Sequence, residues 1–397
     1  MLSLGSVMCK AIALSGIMLL LGCATDVRNA VPLPMANTVQ VAGFGPIRGW
    51  GDIEIPNVER IAALRFDQIK SQRPQVLKRR RRIVSYLAIS GGGADGAYSA
   101  GFLNGWTASG KRPQFEVVSG VSAGALIAPF AFLGPAYDSK LKEIYTLYAT
   151  DDLIQKQVLV GLFGGNAVSS TKPLANLIAK YITPSVMAAI AREHRKGRRL
   201  FVGTTNADQE RPVVWDMGRI AERGTPEALT LFRRVLLAST ALPGLFPPVY
   251  VNVTNGDGKV YQEMHIDGGV TENAFLLPLH FNLKKIDRQY GVQWRRSLYV
   301  LANSKTTPSP KVVEGTTFAI AGRSINTLIR QQLEGDLLKL YLRAKENSID
   351  FRLASIPSDF TAESKEPFDR EYMAKLYETG YRLARNGYKW QRKPPGL

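Results

Sequence analysis

The stretch Phe115-Glu116-Val117-Val118-Ser119-Gly120-Val121-Ser122-Ala123-Gly124-Ala125 decides the fold that this sequence predicts. The apolar, β-branched run at residues 115–119 predicts a buried strand, and the apolar segment 123–133 predicts a buried helix. Between them, the Gly120-x-Ser122-x-Gly124 motif has the form of a sharp strand-to-helix turn. Such a turn needs small neighbours, because the two backbones approach closely there. The sequence therefore predicts a serine side chain presented at the edge of a sheet.

The segment before this turn has the same order of elements, a strand, a glycine-containing turn and a helix. Residues 83–89 predict a buried parallel strand, the glycine-rich loop 91–96 follows, and residues 97–109 predict a helix. Alternation of strands and helices indicates an α/β fold, with helices on both faces of the sheet. Further strands are predicted at 200–204, 212–216, 263–266, 297–302 and 351–356, and further helices at 58–70, 318–347 and 370–390. Nothing between residues 80 and 390 resembles a linker, so one domain over residues 81–397 is expected, with a helical C-terminal part from about residue 314.

The N-terminal residues 1–23 have the features of an export signal. An apolar run over residues 11–21 follows a short segment that carries one positive charge. It ends at Leu20-Leu21-Gly22-Cys23, which resembles the lipobox of bacterial lipoproteins, where the cysteine is acylated. The alternative is an ordinary secretory signal with a chance cysteine. The residue after the cysteine is Ala24 and not an aspartate. By resemblance to the rule that sorts bacterial lipoproteins between membranes, this favours a lipid-anchored protein of the outer membrane that faces the periplasm. Residues 24–80 are expected to form a tether and an N-terminal extension, with no regular structure up to about residue 55.

The composition excludes several kinds of chemistry. Cys9 and Cys23 are the only two cysteines, which excludes thiol catalysis and cysteine-bound metals. The three histidines, His194, His265 and His280, are not spaced as metal ligands. We therefore expect neither a metal nor a cofactor. The net charge of +18 is compatible with binding to nucleic acid or to an anionic membrane surface. The alternative is that the charged side chains only cover the solvated surface. Nucleic acid is not expected for an exported lipoprotein.

Ser122 is the candidate nucleophile. The helix that begins at this residue points its positive end at the site and would favour a developing oxyanion. The loop Gly91-Gly92-Gly93-Ala94-Asp95-Gly96 also fits G-x-G-x-x-G, the pattern of a dinucleotide site. That interpretation requires an acid at the carboxyl end of the next strand, whereas Glu116 lies at its amino end. An oxyanion hole formed by the amides of Gly91, Gly92, Gly93 and Ala94 fits better.

The candidates for the general base are the three histidines and Asp267. His280 lies in an apolar stretch, His265 lies on a predicted strand, and His194 lies in a charged run that is expected to be solvated. Each is expected to be structural. Asp267 ends the predicted strand 263–266, and Gly268 and Gly269 after it permit a tight turn and close approach. An aspartate normally has a pKa near 4, so a poorly solvated position is needed to make it a useful base.

Together these blocks resemble the patatin family, which includes the patatin-like phospholipases. The resemblance spans about residues 84–275 and rests on the loop 91–96, the elbow 120–124, Asp267-Gly268-Gly269, and the stretch 238–248, Ala-Ser-Thr-Ala-Leu-Pro-Gly-Leu-Phe-Pro-Pro. It implies a three-layer α/β/α fold with a mostly parallel central sheet, a Ser122–Asp267 dyad without histidine, and hydrolysis of lipid acyl esters. The lipid substrate would be a phospholipid or lysophospholipid. The motif glycines are Gly96, Gly120, Gly124, Gly268 and Gly269.

One residue departs from this pattern, and two other functions stay open. The family usually has arginine where this sequence has Asp95, which we expect to cap the helix that follows. A histidine-dependent carboxylesterase and a non-catalytic lipid-binding lipoprotein are the alternative functions. The apolar, glycine-rich segment 158–168 is expected to belong to the core or to form a lid.

Overall fold

The computed structural model describes residues 28–53, 58–78, 82–156, 169–276, 282–308 and 310–397. The strands are β1 (Gln40–Val41), β2 (Arg48–Trp50), β3 (Ile83–Ile89), β4 (Phe115–Val121), β5 (Gln155–Lys156), β6 (Ser169–Ser170), β7 (Arg199–Asn206), β8 (Arg211–Asp216), β9 (Val249–Thr254), β10 (Tyr261–Asp267), β11 (Arg295–Lys305) and β12 (Ile349–Ile356). The helices are α1 (Val58–Gln72), α2 (Pro74–Lys78), α3 (Gly96–Ala108), α4 (Ala123–Leu133), α5 (Asp138–Thr146), α6 (Thr150–Leu153), α7 (Lys172–Tyr181), α8 (Pro184–Arg195), α9 (Met217–Glu222), α10 (Pro226–Ser239), α11 (Leu283–Tyr290), α12 (Thr317–Glu346) and α13 (Arg370–Arg385).

One 10-stranded sheet organises the described residues, in the order β1-β9-β10-β7-β4-β3-β11-β12, with β8 paired to β7 and β2 paired to β8. The consecutive strands β7, β4, β3, β11 and β12 are parallel. Alternate residues of β3 enter different apolar clusters: Leu87 and Ile89 pack in one, Tyr86 and Ala88 in the other. Because alternate side chains of a strand point to opposite faces, the sheet is covered on both sides. The three-layer α/β/α prediction is confirmed.

Strand β10 reaches the centre of the sheet from the opposite direction. It pairs antiparallel with β7, with Asp267 opposite Thr204. Because β7 is parallel to β4, and Gly203 lies beside Val121, the last residue of β10 arrives next to the elbow. The sequence predicted the correct edge for Asp267, but β10 is antiparallel to β7 and not another parallel strand of the sheet.

The N-terminal extension is part of the fold. Val41 pairs with Val253 of β9, and Arg48 pairs across the strands with Trp215 of β8. Val39 and Ile47 are buried, which gives this segment an apolar anchor. The prediction of a tether over residues 24 to about 55 is therefore wrong for residues 28–53. Its short strands have too few residues to show a periodic pattern, and partners distant in sequence hold them.

Most predicted elements are present with shifted ends. Strand β4 continues two residues beyond the predicted end, to Val121, and the last helix ends at Arg385 instead of residue 390. Strand β9 was not predicted; it follows Pro247-Pro248, which is typical of loops. Glu116 lies at the amino end of β4, away from the edge where a dinucleotide ribose would need an acid. Burial alone would raise the pKa of Glu116, but its ion pairs with Arg73 and Arg82 hold it at about 2.

Among the described residues, no single helix combines the length and apolarity needed to cross a bilayer. Only α7 and α8 taken together pass that test, and they are bent by 62° at the break between them.

Candidate active site

Ser122 occupies a strained position between β4 and α4. Its φ is 53° and its ψ is −122°, in a region that non-glycine residues rarely adopt. The close packing of its neighbours explains this turn. A Cβ on Gly120 would lie 2.2 Å from the carbonyl oxygen of Gly124, and a Cβ on Gly124 would lie 2.3 Å from that of Ile89. Only glycine fits at both positions, so the motif encodes the turn that exposes the serine hydroxyl.

The hydroxyl of Ser122 is in direct contact with Asp267. Its Oγ donates a hydrogen bond to Oδ2 of Asp267 at 2.6 Å. The other carboxylate oxygen, Oδ1, accepts from the amide of Gly269 at 2.8 Å. The turn after Asp267 is tight, since a Cβ on Gly268 would lie 2.5 Å from the carbonyl oxygen of Gly203. The two glycines thus orient one carboxylate oxygen and leave the other facing the serine.

Burial changes the acidity of Asp267. Its side chain is removed from water, which raises its pKa to about 6; the hydrogen bonds from Ser122 and Gly269 act in the opposite direction. A carboxylate with a pKa near 6 is ionised at neutral pH and accepts a proton more readily than an ordinary aspartate. The environment therefore supplies the increase in basicity that the sequence argument required.

Ser239, the last residue of α10, also supports the elbow. The amide of Ser122 donates to Oγ of Ser239 at 2.9 Å, and that hydroxyl donates to the carbonyl oxygen of Gly203 at 2.6 Å. The amide of Asp267 donates to the carbonyl oxygen of Ala241 at 2.9 Å. The stretch 238–248 thus holds both partners of the contact. The sequence identified this stretch but did not predict its role.

The glycine-rich loop lies beside Ser122, but its first amide is occupied. The N–H of Gly91 donates to Oδ1 of Asn273 at 2.8 Å, so the prediction of Gly91 as an oxyanion donor is wrong. Asn273 lies too far along the chain for a local pattern to reveal this contact. Gly92, Gly93 and Ala94 line the cavity above Ser122, as does Ala123, the first residue of α4. The amides of Gly92, Gly93 and Ala94, together with that of Ala123, are the candidates to meet a carbonyl oxygen bound there.

Asn273 is itself held by the C-terminal helix α12. Its amide donates to Oδ2 of Asp336 at 2.6 Å, and its side-chain nitrogen donates to the carbonyl oxygen of Ile329 at 3.3 Å. Asp336 is buried, and its Oδ1 accepts from Lys339. A chain of contacts therefore runs from α12 through Asn273 to the glycine loop.

A cavity of about 500 Å³ opens above Ser122 and Asp267. Its walls are largely aliphatic and aromatic, and α12 contributes polar residues to one side. The apolar lining consists of Leu126, Ile144, Leu153, Leu174, Leu177, Leu242, Leu245, Phe246, Ile329, Phe368 and Met373, among others. Such walls suit an acyl chain.

Residues 87–280 match the sequence model of the family described as patatin-like phospholipase. The chain carries a patatin-like phospholipase domain. It is thus an enzyme of the lipid acyl hydrolase class. No curated protein matches the sequence.

Among solved structures, the chain is similar to VipD from Legionella pneumophila, with 16% identity, coverage of 78% of this chain and 67% of that chain, and a TM-score of 0.32. It is also similar to human GIVD cytosolic phospholipase A2, with 11% identity, coverage of 85% and 63%, and a TM-score of 0.38. This chain spans about two thirds of the length of each.

The patatin-like domain places Asp95 differently from our expectation. Asp95 precedes α3, but its side chain makes no capping hydrogen bond. Instead its Oδ1 accepts from the hydroxyl of Tyr372 on α13 at 2.5 Å. Burial raises the pKa of Asp95 to about 6, whereas the Tyr372 bond and the charge of Lys305 lower it. Asp95 lines the same cavity as Ser122, so a negative charge on its carboxylate acts electrostatically on a substrate bound there.

The two described histidines have other partners. His265 is fully buried and hydrogen-bonds to Thr204 at 2.9 Å and to Glu263 at 3.1 Å. His194 is 2% exposed, so the prediction that it is solvated is wrong. Burial lowers the pKa of His194 to about 4. Both side chains are placed by structural contacts, as expected. His280 and the segment 158–168 lie outside the described residues.

Among the described residues, no group of three or more histidine, cysteine, aspartate or glutamate side chains could hold a metal ion.

Proposed function

We propose that this enzyme hydrolyses acyl esters of phospholipids or lysophospholipids through a Ser122–Asp267 dyad. The observation that carries the proposal is the 2.6 Å hydrogen bond from Ser122 Oγ to Asp267 Oδ2 at the floor of an apolar cavity. It joins a hydroxyl in a strained elbow to a carboxylate of raised pKa. A nucleophile in contact with its base is the arrangement that acyl transfer requires.

In the first half-reaction, Ser122 Oγ attacks the acyl carbonyl carbon while Asp267 accepts the hydroxyl proton. The negative charge that develops on the carbonyl oxygen is met by amides from Gly92, Gly93 and Ala94 of the loop and from Ala123. Asp267 then gives its proton to the departing alcohol, and the acyl group remains on Ser122. In the second half-reaction, Asp267 deprotonates a water molecule, which attacks the acyl-enzyme; the returning proton restores the Ser122 hydroxyl as the fatty acid leaves.

The cavity supports an aliphatic acyl chain as the part of the substrate that is bound most closely. About 25 cal/mol is gained for each Å² of apolar surface removed from water, so an acyl chain packed against leucine and phenylalanine walls contributes much of the binding energy. With the acyl chain bound there, the ester carbonyl must lie against the glycine loop, whose amides face the carbonyl oxygen. We infer that the headgroup lies toward α12, where Arg323, Asn326 and Arg330 line the cavity.

We further propose that the protein is a lipid-anchored protein of the bacterial cell envelope. The support is the sequence of residues 1–23, with its apolar run and the Leu-Leu-Gly-Cys ending at Cys23. Metabolic labelling with an alkynyl fatty acid tests this: label should appear on the wild-type chain and be absent from Cys23→Ala. Equal labelling of both proteins would contradict it.

Active-site labelling tests the proposed reaction without knowledge of the lipid. A fluorophosphonate probe should label the wild-type protein, and peptide mapping should place the label on Ser122. Ser122→Ala is the control and should remain unlabelled. Absence of labelling in folded wild-type protein would instead favour a non-catalytic lipid-binding role. A panel of diacyl phospholipids, lysophospholipids and neutral esters then identifies the substrate.

A further inference from the structure

Helix α12 changes character along its length. Its second half buries Leu333, Leu337 and Leu340 against the domain. Its first half, residues 317–330, buries none of its described side chains: Ile320 is 52% exposed and Leu328 is 69% exposed. The second half also has exposed leucines, Leu338 at 40% and Leu342 at 47%, beside its buried ones. Such side chains on a surface helix mark a contact surface when they lie together.

The exposed aliphatic face lies beside the wall that α12 contributes to the active-site cavity. The same half of α12 lines that cavity with Thr327 and Arg330, among other residues, whereas Ile320 and Leu328 are not part of the lining. At about 100° per residue, Leu328 lies about 80° from Ile320 around the helix axis, and Thr327 lies about 20° from Ile320 on the other side. The cavity-lining face and the exposed aliphatic face are therefore adjacent.

The loop that precedes α12 also exposes aliphatic side chains. Val312 is 96% exposed, and Val313 is also exposed. We call Val312, Val313, Ile320 and Leu328 the rim surface. Residues 310–330 also carry three cations, Lys311, Arg323 and Arg330, and one carboxylate, Glu314. Two of the cations form solvent-accessible ion pairs, Lys311 with Glu363 and Arg330 with Glu334. The whole chain has a net charge of +18.

We propose that the rim surface docks onto an anionic lipid surface, from which the enzyme takes its substrate; this inference rests on the proposed lipid hydrolysis. Aliphatic side chains gain free energy when they enter the boundary between headgroups and acyl chains. Lysine and arginine side chains beside them are attracted to anionic headgroups. Because the half of α12 that carries Ile320 and Leu328 also lines the cavity, a docked enzyme can receive an acyl chain with little exposure of that chain to bulk water. The docking surface and the catalytic cavity thus share one helix.

Site-specific fluorescence tests docking independently of catalysis. The chain has only two cysteines, so the full-length Cys9→Ala, Cys23→Ala, Ser122→Ala protein offers a thiol-free, inactive background without acylation. Leu328→Cys carries an environment-sensitive fluorophore at the rim surface. Leu342→Cys is the matched control, because Leu342 is 47% exposed on the same helix and is not part of the cavity lining.

With vesicles that contain phosphatidylglycerol, the fluorophore at position 328 should show a blue shift and the one at 342 should not. Vesicles of phosphatidylcholine alone should give a smaller shift at 328. No shift at 328, or equal shifts at both positions, would overturn the proposal. A shift that needs no vesicles and grows with protein concentration would also overturn it, because it would assign the surface to a second copy of the chain.

Hydrolysis gives a second test in catalytically active protein. In Ile320→Ser/Leu328→Ser, hydrolysis of phosphatidylglycerol vesicles should fall by about ten-fold or more, because two aliphatic contacts with the bilayer are lost. Hydrolysis of a short-chain ester that stays monomeric should be unchanged. Leu338→Ser/Leu342→Ser is the control pair and should keep both activities. Loss of both activities in the rim variant, or of neither, would contradict docking; a wild-type protein that hydrolyses neither substrate would instead contradict the proposed function.

Discussion

Ser122 and Asp267 are 145 residues apart in the chain, yet the hydroxyl of one donates to the carboxylate of the other at 2.6 Å. Their strands approach from opposite directions: β4 runs toward the elbow within the parallel part of the sheet, and β10 arrives antiparallel to β7. The contact is enclosed, since Asp267 is only 4% exposed. The fold thus brings a nucleophile and a carboxylate together where water is scarce, and testable consequences follow from that environment.

The first consequence concerns the pH dependence of the reaction. Asp267 must be ionised to accept the serine proton, and burial raises its pKa to about 6. We expect kcat/KM to rise with pH and to level off above about pH 6 to 7, with an acidic limb near pH 6. A pH–rate profile on a monomeric ester substrate measures this limb. An acidic limb near pH 4 would mean that the base is a solvated carboxylate and would contradict the assignment.

The second consequence concerns stability. The folded-state pKa of Asp267 is above its unfolded value, so the protonated side chain contributes stability that is present below pH 4 and is lost as pH rises to about 6. Asp267→Asn cannot lose a proton. Relative to wild type, its free energy of unfolding should therefore increase between pH 4 and pH 7, by up to about 3 kcal/mol.

Denaturant unfolding of both proteins at several pH values provides the measurement. Asp95 and Glu272 also have pKa values raised by burial, to about 6 and about 8, but they are present in both proteins and cancel in the difference. A difference that does not change with pH would show that the pKa of Asp267 is not raised.

The third prediction concerns Asn273 as a positioning residue. Asn273→Ala removes the closer, side-chain acceptor of the Gly91 amide and keeps only the main-chain carbonyl at 3.2 Å, so the loop that meets the oxyanion loosens. We expect kcat to fall by about ten-fold with little change in KM, because the donors act mainly in the transition state. Steady-state kinetics on a monomeric ester separates the two constants.

Asp336 extends this test to the C-terminal helix. Asp336→Ala should lower kcat in the same way, whereas Asp336→Asn keeps an acceptor for the Asn273 amide and should restore most of the activity. Lys339→Ala is the control, since Lys339 is half exposed and contacts only the other oxygen of Asp336. A change in KM without a change in kcat would place Asn273 in substrate binding instead.

The fourth prediction concerns Asp95 and the choice of lipid. An ionised carboxylate in the cavity wall repels an anionic headgroup, and Asp95→Asn keeps an acceptor for Tyr372 while removing the charge. At pH 8 the preference for phosphatidylglycerol over phosphatidylcholine should increase by about five-fold, which corresponds to about 1 kcal/mol of charge repulsion. At pH 5, where Asp95 is protonated, the two proteins should show the same preference. If wild type and Asp95→Asn showed the same lipid preference at pH 8 as well as at pH 5, Asp95 would have no role in lipid selectivity.

The sequence predicted those parts of the site that depend on local patterns. The elbow at Ser122 and the tight turn after Asp267 both require glycine for steric reasons, and glycine spacing is visible in the sequence. The apolar run of β3 predicted a buried strand, because both faces of the parallel sheet are covered.

Other features depend on contacts between distant segments. Asn273 follows Asp267 by six residues in the chain, but its role becomes visible only when its contacts with Gly91 and Asp336 are known. Asp95 precedes a helix and satisfies the local pattern of a cap, yet Tyr372 from the last helix offers its carboxylate a better partner. The hydrophobic pattern of β10 likewise does not indicate whether the strand runs parallel or antiparallel to β7.

The most direct test of the central claim is hydrolysis of one lipid ester by two sets of variants. Asp267→Asn should lose about 10²- to 10⁴-fold in kcat, as expected when a general base is removed. His194→Gln, His265→Gln and His280→Gln should each retain most of the wild-type kcat, provided that thermal unfolding shows the proteins to be folded. The account would be contradicted if one histidine variant lost activity by that factor while Asp267→Asn remained active.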